Sequence, residues 1–63
     1  MFTPEGVAQL SIKYRIKNNL SQKELAKKLK ISNKTLCNIE QKSNKTRIIT
    51  LQKVGYMLKY EKF

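Results

Sequence analysis

The chain has no histidine, a single cysteine, one proline, two glycines and only four acidic residues. Each scarcity excludes something. One thiol, Cys37, cannot form an internal disulfide, and with no histidine beside it there is no structural zinc site. Histidine is also the commonest general base. With no nucleophile–base pair, metal-ligand cluster or glycine-rich phosphate loop, the sequence offers nothing for catalysis and implies no cofactor. No long apolar run is present to span a bilayer, and the amino terminus lacks the apolar core of a signal peptide. The expectation is a cytoplasmic protein, in which a free thiol stays reduced.

What the chain has in excess is positive charge. Lys and Arg total 14 against 4 acidic residues, a formal net charge of +10 in 63 residues. A merely solubilising surface is better served by mixed signs. An excess of one sign in so short a chain points to a polyanionic partner, nucleic acid before an anionic membrane. The length allows one domain, residues 1–63, with a small core. Its stability must come from helix packing or dimerisation.

The periodicity predicts four helices. Met1 to Thr3 are expected to fray. Thr3 is an N-cap, Pro4 suits the first turn and Glu5 the positive end of the helix dipole, so a first helix runs over about residues 4–18. Val7, Leu10 and Tyr14 line one face, and Ile12 and Ile16 another, as if the helix were covered on two sides. Asn18-Asn19 ends it. Ser21-Gln22-Lys23-Glu24 reads as a capping box, with Leu20 and Leu25 as a hydrophobic staple. Leu25, Ala26 and Leu29 form the inner face of this second helix, and its lysines point outward. It must stop near Lys30, because Ser32 is the next N-cap.

A third helix spans about residues 33–41. Leu36, Ile39 and Glu40 lie inside, and Asn33, Lys34, Cys37, Asn38 and Gln41 outside. Lys42 to Arg47 is a polar, basic loop. Ile48, Leu51, Val54 and Leu58 mark a fourth helix over about residues 48–59, in which Gly55 suggests close helix packing. Ile49, Tyr56, Tyr60 and Phe63 are too apolar for plain solvent exposure, which leaves side packing or self-association.

Two short helices joined by a tight turn, with Ala26 where they approach and a polar outer face on the second, form a helix-turn-helix over about residues 21–41. Gln22 to Glu40 carries S-Q-x-E-L-A-x-x-L, then I-S, then T-L-x-x-I-E once Ser21 is included. This resembles the helix-turn-helix of the phage repressor, Cro and Xre family of bacterial regulators, and the likeness extends over about residues 7–59. It implies an all-α, repressor-like domain of four to five helices, in a bacterium or a phage, that binds a palindromic DNA operator as a homodimer.

Residue by residue, the resemblance puts Asn33, Lys34 and Asn38 at base-reading positions of the recognition helix 33–41, with Thr35 and Cys37 beside them. It puts Gln22, next to Ser21, on a phosphate. Gln41, Lys42, Asn44, Lys45 and Arg47 follow along the DNA backbone, and Arg15 with Glu40 form a structural ion pair. Lys30 and Lys42 stand where the family usually has glycine, Thr46 where it usually has proline, and Ser11 where a core apolar residue is usual. The function expected is sequence-specific transcriptional regulation, as a repressor. The alternative is the antitoxin half of a toxin–antitoxin pair, with a toxin as an additional protein partner.

Overall fold

The computed structural model describes residues 1–42 and 45–63. Among them are four helices, α1 (Pro4–Asn18), α2 (Gln22–Leu29), α3 (Asn33–Glu40) and α4 (Ile48–Tyr60), and no strand. α1 is the central element. It packs on α3 and on α4, and α2 packs on α3.

The helix ends follow from local chemistry. The Thr3 hydroxyl accepts the Gly6 N–H at 3.0 Å, and Asn19 closes α1 in the left-handed region with φ 54°. Ser21 and Glu24 cap α2 reciprocally: Ser21 N–H donates to the Glu24 carboxylate at 2.8 Å, and Glu24 N–H to the Ser21 hydroxyl at 3.1 Å. This satisfies two of the donors that a helix start leaves open. Lys30, not a glycine, closes α2 at φ 59°, ψ 40°. Its N–H and that of Ile31 return to the Lys27 and Ala26 carbonyls, the hydrogen-bond pattern of a left-handed helix stop. Ser32 then caps α3 by accepting the Thr35 N–H.

The core is apolar and small. Val7, Leu25, Leu29, Leu36, Ile39 and Val54 are essentially inaccessible, and Ala26 is buried where α2 meets its neighbours. Truncating one of the leucines costs about 2–5 kcal/mol. A single core of this size rarely supplies more than about 3–5 kcal/mol in total, so each is indispensable.

Four expectations are corrected. Of the first residues Met1 is exposed as expected, but Phe2 packs against the core, and its main chain exchanges two hydrogen bonds with the Gln52 carboxamide. Gly55 does allow a close approach, but to Phe2 rather than to another helix; a Cβ at position 55 would lie 2.6 Å from the Phe2 ring. Nor is α1 covered on two sides. Ile12 and Ile16 are exposed, Ile16 at 76%, because α3 and α4 approach α1 from the side of Val7, Ala8 and Ser11. The recognition helix stops at Glu40, and Gln41 is its C-cap.

Candidate nucleic-acid interface

α2 and α3 are held in place by one carboxylate. Glu40 sits at the inner end of α3 with its side chain only 8% exposed. A lone carboxylate there would be costly, and it is not alone. Arg15 Nη1 from α1 lies 2.7 Å from Glu40 Oε1. The Ser11 hydroxyl, also from α1 and fully buried, donates to Oε2 at 2.5 Å. Gln22 Nε2, from the first turn of α2, donates to Oε1 at 3.1 Å. Arg15 Nε also reaches the Leu20 carbonyl between α1 and α2 at 3.4 Å. Four side chains from three helices thus fix how α3 is presented.

Ser11 therefore replaces a core apolar residue for a reason: its hydroxyl is a ligand of Glu40. The pairing of Arg15 with Glu40 is as expected. Gln22 is less free than the sequence suggests, because one of its two amide N–H donors is committed to Glu40. The other remains available.

The outer side of α3 carries the residues singled out above. Asn33 and Lys34 are exposed at its amino-terminal turn, and Thr35, Cys37 and Asn38 are half-buried behind them. The Thr35 hydroxyl is paired with that of Ser32 at 2.7 Å, and the Cys37 sulfur accepts from Gln41 Nε2 at 3.4 Å. Beyond α3, Lys42 is exposed with φ 59°, and its ammonium lies 4.0 Å from Glu5. Lys45 and Arg47 are exposed as well. Ser21 is exposed, with its hydroxyl engaged in the cap of α2. Asn44 lies outside the described residues.

The structure adds two residues that sequence reasoning missed. A polar notch with a volume of about 370 Å3 lies between α3 and the start of α4, with Thr35 and Asn38 on one wall and Thr46, Arg47 and Thr50 on the other. The Thr46 hydroxyl is buried with no hydrogen-bond partner. α4 starts at Arg47 without a side-chain cap and without an acidic residue in its first turn. The start of α4 therefore borders the notch with Lys45 and Arg47 beside it, and a helix start between two basic side chains favours an anion. Only the basic loop could have signalled this in sequence, since a buried hydroxyl has no signature there.

Electrostatics agree. Among 14 cations and 4 carboxylates, each carboxylate has an internal role. Glu24 caps α2, Glu40 holds Arg15, Glu61 lies 3.4 Å from Lys17 and Glu5 faces Lys42. The Ser21 backbone N–H first, and its hydroxyl second, hold the Glu24 carboxyl below its ordinary value. No acidic residue lies on the outer side of α3.

Among the described residues no group of three or more His, Cys, Asp or Glu side chains could hold a metal ion, and no helix is long and apolar enough to cross a membrane. In comparison with known families, the family described as helix-turn-helix matches residues 12–54, more than half of the chain. No curated protein and no solved structure matches it significantly.

Proposed function

Because the chain belongs to the helix-turn-helix family of the Xre, Cro and repressor type, a family of DNA-binding regulators, we propose that it is a sequence-specific transcriptional repressor that reads a palindromic operator as a homodimer. The observation that carries this reading is the presentation of α3. Its inner carboxylate is tied to α1 and α2 by three side chains, while Asn33 and Lys34 stand free at its amino-terminal end. Eight residues of helix are about 12 Å long, a piece that fits the major groove.

In this reading Asn33, Lys34 and Asn38 meet base edges. Asn suits the N6 and N7 of adenine, and Lys the O6 and N7 of guanine. Thr35 and Cys37 offer small, weakly polar surfaces beside them. Phosphates are held on both sides of α3: by Ser21 and the second N–H of Gln22 at the start of α2, and by Gln41 and Lys42 after α3 with Lys45 and Arg47 at the notch, Asn44 lying between them in sequence. Thr46 and the first turn of α4 complete the second seat. These contacts supply affinity and register, and the base contacts supply choice.

The dimer would use the outer side of α4. Ile49 is 80% exposed, and Tyr56 and Tyr60 are half exposed, with their rings 5.0 Å apart. Phe63 is better explained as side packing, since its ring lies 5.0 Å from that of Tyr14. The antitoxin role would place a second small protein on the same side of α4, and co-purification of that protein separates the two.

Selection from a random duplex pool tests the whole reading. A single palindromic sequence, bound with an affinity that falls steeply with salt, is the expected result. Recovery of no preferred sequence would sink sequence-specific regulation, and a non-palindromic winner would sink the symmetric dimer.

A further inference from the structure

We propose that the residues before α1 act as a positioning device for the phosphate seat at the start of α4. Phe2, clamped by Gln52 and seated on Gly55, sets how Thr46 and Arg47 meet the DNA backbone. The proposal rests on the DNA-binding reading above. Phe2 itself touches no DNA in it, and it lies outside the segment matched by the family, residues 12–54.

The clamp is directional. Phe2 N–H donates to Gln52 Oε1 at 2.8 Å, and Gln52 Nε2 donates to the Phe2 carbonyl at 2.6 Å, across fifty positions of sequence. The Phe2 ring occupies the space that any side chain at position 55 would need. The Lys59 ammonium lies 5.9 Å from the ring centroid. One residue therefore engages α4 at positions 52, 55 and 59, a seam along one helix face. Apolar burial alone would leave Phe2 free to slide along that seam; two opposed hydrogen bonds to one carboxamide fix its register.

The seam matters because of what lies beside it. Phe2 and Pro4 form one wall of a groove of about 370 Å3 whose other wall is Thr46, Ile48 and Leu51. The first turn of α4 has no side-chain cap, so its own residues do little to fix where it begins. The turn that follows is restrained by Leu51, buried in the core, and by the Phe2 clamp on Gln52. The Lys42–Glu5 approach at 4.0 Å is a second link from the start of α1 to the basic loop, exposed and therefore weak. Glycine in the middle of α4 lowers helix stability relative to alanine. Its presence is accounted for by the seat it makes for Phe2.

Two variants test this, Gln52→Leu and Gly55→Ala. Each is titrated with a random-sequence duplex and with the best selected duplex over a range of NaCl concentrations, at a temperature where circular dichroism shows the variant folded. Both are expected to weaken binding to the two duplexes by the same factor, about tenfold, and to reduce the slope of log affinity against log salt by about 0.9, the equivalent of one phosphate contact. The amide resonances of residues 46–50 should move. Adding Phe2→Ala to Gly55→Ala should weaken binding little further, because both act through one contact.

A variant that is folded yet keeps the wild-type affinity and salt slope would overturn the proposal, since a role in stability alone leaves both unchanged. So would a change in sequence preference in place of a uniform loss. If Gly55→Ala fails to fold, Gln52→Leu decides the matter, because it adds no atom to the Phe2 seat. Failure of the wild-type chain to bind any duplex would bring down the DNA reading first, and is seen before a variant is made.

Discussion

Arg15 and Glu40 lie 2.7 Å apart across the junction of α1 and α3, 25 positions apart in sequence. The pair is partly screened on the arginine side and nearly closed on the glutamate side, at 28% and 8% exposure. It orients α3, and it fails asymmetrically. Removing Arg15 leaves a buried carboxylate with only Ser11 and Gln22 as donors. Arg15→Met is expected to cost about 3 kcal/mol, whereas the double variant Arg15→Met, Glu40→Met should cost clearly less than the sum of the two single changes. Urea denaturation of the four proteins measures this. A strictly additive cycle would show that the pair is incidental.

Lys30 ends α2 in a left-handed conformation that glycine adopts without strain. Its side chain is exposed, so a glycine there sacrifices little burial. Lys30→Gly is expected to stabilise the chain by about 1 kcal/mol, raising Tm by about 4–8 °C in a domain of this size. A lower Tm would mean that the turn is not held as described.

Asn38 borders the notch from the middle of α3, and Asn33 begins the helix. Asn38→Ala should relax preference at one or two base positions, by about 1–3 kcal/mol of discrimination each, and leave binding to random-sequence DNA nearly unchanged. Arg47→Ala should do the reverse, weakening all duplexes alike. Competition binding with single-base operator variants distinguishes the two patterns, and identical patterns would cancel the division into base and phosphate contacts.

The capping box of α2 predicts a pH dependence. Hydrogen bonds from the Ser21 backbone first, and from its hydroxyl second, lower the pKa of Glu24 from its ordinary 4.5. A carboxylate with a depressed folded-state pKa contributes stability that is fully present above its unfolded value and is lost as the pH falls through the folded one. Wild type should therefore exceed Glu24→Gln in stability at pH 7, and the gap should shrink once the pH falls below 4.5. Thermal melts of both proteins at pH 7 and pH 3 check this, and a gap that does not change with pH would remove the charged cap.

Much of this was readable in advance because the signals are local. The capping residues Thr3, Ser21 and Ser32 each declare a helix start within three or four positions, and α1 begins and ends where they and Asn19 require. The polarity of Glu40 on an inner face called for a partner, and Arg15 is that partner. Phe2 was missed because nothing before α1 is periodic and its partner is fifty residues away. Gln22 was assigned to a phosphate alone, because nothing local shows that its amide also reaches Glu40, eighteen positions away. Ile12 and Ile16 show that apolar spacing reports which face a residue occupies, not whether a neighbour covers it. Thr46 became part of the notch only once α3 and α4 were set side by side.

The four carboxylates, each engaged within its own chain, have a consequence for assembly. Two copies approaching along α4 bring a formal charge of +10 each and no spare anion to offset it. Their mutual repulsion reaches over a Debye length, about 30 Å at 0.01 M salt. A duplex lying across the α3 helices of both copies would neutralise the two together. Pairing and operator occupancy would then be thermodynamically linked, each strengthening the other by the same factor. Such a chain would switch over a narrow range of its own concentration.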